Sequence, residues 1–258
     1  MLIHLLTGVA EENVSDIATL LNVNHDVSDA LPAWAQELIV FDTETTGIAP
    51  DTTRIVTANV SRINAAGEVL EAHDWLIDPG IEIPAVATAV HGITTERARS
   101  EGTDASTSVS EILETLRAYL DSGIPVVAYN AAYDFTILDR EAKRYELAAL
   151  DSPAPIVDPL IIDRKVDRYR KGKRSLEVTA EFYGVSLTDA HTAAADALAA
   201  GHVAQAIARK HAPALTMSAL ELHLAQVSWA AEQAASFAEY LARQGKKVYP
   251  GDGVWPVR

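Results

Sequence analysis

The chain has 258 residues, 48% apolar and 22% charged, enough to bury a sizeable core and too apolar for a disordered polymer. It carries 36 acidic against 21 basic residues, a net charge of −15, and no cysteine, so disulfides, thiolate nucleophiles and Cys-ligated metal sites are excluded. Such a length suits one large domain with appendages, and no apolar stretch approaches the roughly 20 residues that span a bilayer.

Residues 1–37 hold no Lys or Arg and read as an acidic appendage, helical around Val14–Leu21 and broken near Asn22–Pro32. The apolar run from Leu2 to Leu6 has no basic residue before it and no cleavage pattern after it, so a cytoplasmic protein is expected. Leu38–Phe41 (LIVF) then leads into DTETTG, the pattern of a buried strand running into a turn. Arg54–Ile63 and Val69–Ile77 are strand-like, and Asn64-Ala65-Ala66-Gly67 between them suits a hairpin. Val109, Ile112, Leu113, Leu116 and Leu120 recur at helical spacing behind a Ser/Thr-rich stretch that can cap them. Pro125–Tyr129 reads as a second buried strand, Asp134–Leu147 as helix and Ile156–Val157 as a short strand. Helices are predicted over residues 158–169, 175–183, 192–210 and 216–243. Strands with short connections, followed by strands alternating with helices, predict an α/β chain with a mixed sheet flanked by helices.

Basic charge is concentrated. The segment Arg164–Arg174 (RKVDRYRKGKR) holds seven basic residues and one aspartate, a local +6 that leaves −21 for the rest of the chain. It is either a local anion-binding segment, helped where acidic groups hold divalent cations, or a solvated charged loop. QVSWAA (Gln226–Ala231) is similar to a sliding-clamp-binding peptide, but it falls in a predicted helix, lacks the terminal aromatic and is read as helix packing.

Three segments deliver carboxylates. Asp42 and Glu44 are two residues apart after LIVF, so in a strand they point to one face, where they repel and lose hydration. A divalent cation resolves that conflict; taken alone, the pair also reads as a turn with acidic caps. Asp134 follows the second buried strand in AYNAAYDFTIL, where it is also explained as a helix-start aspartate. His191 and Asp196 lie in AHTAAAD. Five residues apart on one regular helix, they would be turned about 140° from each other. They meet if His191 lies in the loop before the helix, with Thr188 or Asp189 as its start signal. A surface histidine before an Ala-rich helix is the alternative.

In that order, FDTETTG, AYNAAYDFTIL and AHTAAAD resemble the three motifs of the DnaQ-like DEDDh 3′→5′ exonucleases, the family that includes the epsilon proofreading subunit of bacterial DNA polymerase III. The resemblance covers about residues 36–211, and HGIT (His91–Thr94), VDPL (Val157–Leu160) and SLEVTAEFYGV are similar to intervening family segments. It implies a ribonuclease-H-like fold over 38–211, with residues 212–258 as a helical C-terminal extension. It also implies that Asp42, Glu44, Asp134 and Asp196 hold two Mg²⁺ or Mn²⁺ ions and that His191 is the general base. The position that would carry tyrosine in the family's other branch is Thr192, and Tyr129 departs from the histidine common before the family's asparagine.

The implied reaction is hydrolysis of single-stranded DNA 3′ ends to nucleoside 5′-monophosphates, in proofreading or repair, with a DNA polymerase subunit as a partner. Thr45 and Thr46 would lie near the terminal nucleotide, His91 and Asn130 would contact substrate, and Arg168, Arg170, Lys171 and Lys173 would follow the backbone. An exoribonuclease acting on RNA 3′ ends and a non-catalytic nucleic-acid-binding module are the competing readings, because nothing in the sequence reads the sugar.

Overall fold

The computed structural model describes residues 31–187, 191–247 and 253–258. The helix expected at Val14–Leu21, most of the acidic appendage and the start signal at Thr188 or Asp189 lie outside the described residues. Six strands form one mixed sheet: β1 (Leu38–Thr45), β2 (Ile55–Ile63), β3 (Val69–Asp78), β4 (Thr103–Asp104), β5 (Val126–Val127) and β6 (Ile156–Val157), in the order β4-β3-β2-β1-β5-β6. β1, β2 and β3 pair antiparallel, whereas β5 joins β1 and β6 joins β5 in parallel. The expected hairpin is present. Asn64 accepts from the Ala66 and Glu68 N–H groups through Oδ1, and Gly67 takes φ +81°, a conformation glycine adopts without steric cost.

Eight α-helices are seen among the described residues: α1 (Ala85–His91), α2 (Thr95–Glu101), α3 (Ala105–Asp121), α4 (Ala132–Arg144), α5 (Pro159–Val166), α6 (Leu176–Tyr183), α7 (Ala193–Lys210) and α8 (Ala219–Arg243). The expected mixed sheet flanked by helices is therefore the architecture found, with a helical region after residue 211. The short helices α1 and α2 and the two-residue β4 are additions to the expected elements. None of the described helices is long and apolar enough to cross a membrane.

β1 is the spine of the fold, and its period of two sorts the core. Ile39 and Phe41 face Val109, Ile112 and Leu116 of α3 and Phe135 and Leu138 of α4. Leu38 and Val40 face the other way, against Ala197, Ala200, Val203 and Ala204 of α7. α7 approaches closely because its inner stripe is alanine and glycine: a Cβ on Gly201 would sit 2.4 Å from Val40 Cγ1 and 2.7 Å from Ile63 Cδ1. On the far edge, α8 replaces the missing neighbour of β6. His223 Nδ1 accepts from the Ile156 N–H at 3.1 Å, and Gln226 donates to Ile156 O at 3.0 Å while accepting from the Asp158 N–H at 2.7 Å.

Candidate active site

β1 runs on through the polar residues to Thr45 instead of stopping at Phe41, because β2 pairs along its whole length. Continuing the alternation, Asp42 and Glu44 take the face of Leu38 and Val40, toward α7, while Thr43 takes the face toward α4. α7 meets the acidic pair with Asp196 in its first turn. One carboxylate oxygen from each of Asp42, Glu44 and Asp196 lies within 4.8 Å of the other two.

Asp134 arrives from the other side, in the first turn of α4. Ile39 donates to Pro125 O across the β1–β5 ladder, so Thr43, of the same parity, turns its N–H to that side too, where β5 has already ended. Asp134 Oδ1 fills the gap, accepting from the Thr43 N–H at 3.1 Å and from Thr43 Oγ1 at 2.7 Å. An unsatisfied buried N–H is thereby avoided, and Asp134 is held beside the three clustered carboxylates without joining their tight group.

Burial, together with the charges of Asp134, Asp196 and Glu44, pushes the Asp42 carboxyl well above its ordinary range. Burial and the neighbouring Asp196 and Asp134 bring Glu44 up to about 7. Burial brings Asp134 to about 7 against the opposing pull of the Thr43 hydrogen bonds. Burial also raises Asp196. Every charge acting on Asp42 and Glu44 is another carboxylate. An all-oxygen donor set fits a hard divalent ion such as Mg²⁺ or Mn²⁺, whose charge would relieve the repulsion.

His191 lies in the loop immediately before Thr192, the N-cap of α7, whose side chain accepts from the Ala195 N–H. Its backbone is left-handed, φ +72°, and its N–H approaches Asp196 Oδ1 at 3.5 Å. The imidazole stands at the rim, 49% exposed, with Nε2 3.4 Å from Glu177 Oε1 on α6. The ring thus faces Glu177, a residue for which the sequence carried no signal.

The remaining candidates divide. Thr45 Oγ1 is pinned by Tyr133 OH at 2.6 Å and Gly47 O at 2.8 Å, and Thr46 Oγ1 accepts from the Arg54 N–H at 3.0 Å, so both threonines shape the loop after β1. His91 is buried beside the Thr45 backbone, with Nδ1 accepting from the Ile93 N–H; burial lowers its pKa. Asn130 is exposed at φ +63°, its N–H held by Asp158. Arg168, Lys171 and Lys173 are exposed. Arg170 differs from these three: with Arg174 it pairs with the buried Asp163, so its guanidinium is already engaged inside the protein.

Asp158, missed as a functional residue, organises the approach to Asp134. It accepts from the Asn130, Ala131 and Leu160 N–H groups at 3.0 Å each and from Trp255 Nε1 at 3.3 Å, and burial brings it up to about 6. An Asp before Pro at a helix start is an N-cap signal that marks it in the sequence.

Residues 39–204 match the model of the exonuclease family RNase_T. This chain belongs to the exonuclease family. A PolC-type DNA polymerase III of Lacticaseibacillus paracasei is 28% identical over 71% of this chain, which spans only 12% of that protein. A DNA polymerase III subunit epsilon-like protein of Rhodobacter capsulatus is 30% identical over 62% of this chain and 22% of its own length. Among solved structures, E. coli exonuclease I in complex with a dA16 oligonucleotide superposes with a TM-score of 0.60 at 19% identity, over 70% of this chain and 42% of that one. The ribonuclease-H-like exonuclease fold expected from the motifs is therefore the fold of this chain.

Proposed function

We propose that this chain is a divalent-cation-dependent 3′→5′ exonuclease that hydrolyses single-stranded DNA ends to nucleoside 5′-monophosphates. The observation that carries the reading is the convergence of Asp42, Glu44 and Asp196 oxygens within 4.8 Å, in an exonuclease frame, where the charges acting on Asp42 and Glu44 among the described residues are all carboxylates. Asp42, Glu44, Asp134 and Asp196 would hold two ions. When bound, these supply positive charge opposite the attacking and leaving oxygens and make water more acidic.

The chain's own residues supply the rest. Water attacks the terminal phosphorus, its oxygen forms the new P–O bond, and the P–O3′ bond breaks. His191 Nε2 accepts the proton of the attacking water, and the released 3′ oxygen takes a proton from solvent. From its present position the imidazole must turn from Glu177 toward the carboxylates, which an exposed ring in a loop can do. Thr45 and Thr46, directly after the acidic pair, and His91, buried beside the Thr45 backbone, would contact the terminal nucleotide. The polymerase III relatives support a proofreading role beside a polymerase, and the oligonucleotide held by E. coli exonuclease I supports a single-stranded substrate.

The test compares 5′-labelled single-stranded DNA and RNA of one sequence, with and without Mg²⁺ or Mn²⁺. A cation-dependent ladder shortening from the 3′ end of DNA is expected. Faster degradation of RNA would make the chain an exoribonuclease, and binding without cleavage of either would make it a non-catalytic module.

A further inference from the structure

The loop between α5 and α6 carries the concentrated basic charge, and the structure divides its cations into two sets. Asp163, buried on α5, pairs with Arg170 and Arg174 and accepts from Tyr183 OH at 2.9 Å. Arg174 also donates to Arg170 O, and Tyr129 OH donates to Arg174 O at 2.8 Å. Asp167 approaches Arg170 Nε at 3.5 Å. Two arginines are thereby balanced by two aspartates, and they clamp the loop from below. Arg168, Lys171 and Lys173 point outward and form no ion pair among the described residues.

Between these outward cations stands Tyr169, 88% exposed. An aromatic ring held in water by a clamped backbone, with cations on both sides in sequence, combines the two parts of a single-strand platform: a surface on which a base stacks and charges that follow the phosphates. A merely solvated loop has no need of two arginines anchored on a buried carboxylate. The anchored end of the loop also reaches the site. Tyr129, which holds Arg174, directly precedes Asn130, and Glu177, in the first turn of α6, faces His191.

We propose that Tyr169 stacks on a base of the single strand leading away from the 3′ end, while Arg168, Lys171 and Lys173 neutralise the adjacent phosphates. This rests on the exonuclease reading above, and it adds a residue that fixes strand type: a ring in the path of unpaired bases favours single strands over duplex, whose bases are already stacked.

The test uses the full chain in Ca²⁺, to suppress cleavage, with a fluorescent oligothymidylate as ligand. Hydrolysis of the p-nitrophenyl ester of thymidine 5′-monophosphate by the wild-type protein is measured in Mn²⁺. Tyr169→Ala should weaken oligonucleotide binding by about 5- to 150-fold, the range of one lost stacking contact. Tyr169→Phe should bind as wild type. The salt dependence should be unchanged by Tyr169→Ala, because tyrosine displaces no counterion. Replacing Arg168, Lys171 or Lys173 by Gln should instead reduce its log–log slope by roughly 0.7 each. Binding by Tyr169→Ala within twofold of wild type overturns the inference, as does an equal loss in Tyr169→Phe, which would point to the hydroxyl. A wild-type protein that hydrolyses neither the ester nor DNA defeats the exonuclease reading, an outcome separable from either.

Discussion

Replacing Asp42 by Asn keeps the side chain's shape and removes one negative charge from a place where burial and three other carboxylates oppose it. In the cation-free protein the substitution should therefore be neutral or stabilising, with an advantage that grows with pH. The cluster's folded-state pKa values lie above their unfolded values, so the native state holds extra protons between the ordinary carboxylate range near 4 and about 7. Stability contributed by the cluster is present below that window and falls as pH rises through it. His91, His211 and His223, whose burial lowers their pKa values, act in the opposite direction just below about 6.5, so the difference between wild type and variant isolates the cluster. Melting temperatures from pH 5 to 8 should show the gap widening in favour of Asp42→Asn, and Mn²⁺ should close it by stabilising wild type more; at 100 times its dissociation constant a ligand contributes about 2.7 kcal/mol. A gap that shrinks with pH would remove the electrostatic argument. For His191 the informative substitution is Asn, which tolerates the left-handed backbone that Ala would strain. If His191 accepts the water proton, His191→Asn should lower single-turnover rates by about 10²–10⁴-fold while keeping Mn²⁺ stabilisation. Lost Mn²⁺ stabilisation would make it a ligand, and a normal rate would leave it without a role.

At the scale of elements, the site depends on how closely α7 lies on the sheet, because aspartate is short and Asp196 must reach Asp42 and Glu44 from the next layer. Gly201, just over a turn after Asp196, is a point of close approach. Gly201→Ala gains about 1 kcal/mol of helix propensity but forces a methyl group into Val40 and Ile63, a kind of overpacking that costs about 1–3 kcal/mol. Gly201→Val adds further bulk at the same contact. Urea denaturation should rank wild type, Ala and Val in falling order, and stabilisation by Mn²⁺ should fall in the same order as Asp196 is levered outward. Equal Mn²⁺ stabilisation in all three would mean that the helix tolerates the shift without moving its carboxylate. Much of this element level was legible in the sequence. LIVF and PVVAY announced the central strands, the Asn64–Gly67 turn announced the hairpin, and Ala-rich periodicity announced α7. The i, i+2 spacing of Asp42 and Glu44 put both on one face, although the strand was expected to stop before them because polar residues read as a turn. What was hidden is what depends on partners distant in sequence. Arg170 looked like any other cation in its run until Asp163 came beneath it. Nothing in QVSWAA announces that Gln226 hydrogen-bonds Ile156 and Asp158. The helices α1 and α2 span seven residues each, too few for a period to show.

At the scale of the molecule, the segments after residue 211 are bound to the site by the same hydrogen bonds that finish the sheet. Trp255 is buried, packs on His223 with ring centroids 5.0 Å apart and donates to Asp158, whose remaining contacts fix the turn into α4 ahead of Asp134. Arg258 donates from its N–H to Thr136 Oγ1 at 3.0 Å, and its carbonyl accepts from Arg140, so this segment also lies along α4 itself. We propose that residues 212–247 and 253–258 form one folding unit with the exonuclease core. Removing so large a buried ring leaves a cavity, and Trp255→Ala should cost about 3–5 kcal/mol, a substantial share of the roughly 5–15 kcal/mol that holds a domain together. Trp255→Phe keeps most of the packing but removes the N–H that Asp158 accepts; losing that hydrogen bond alone costs on the order of 1 kcal/mol, beyond whatever the smaller ring gives up in packing. Urea titrations should show one cooperative transition in each protein, with midpoints in the order wild type, Phe, Ala and a common slope. An early transition of small slope in Trp255→Ala, with the core unfolding at the wild-type midpoint, would show instead that the segment detaches by itself and that the core stands alone.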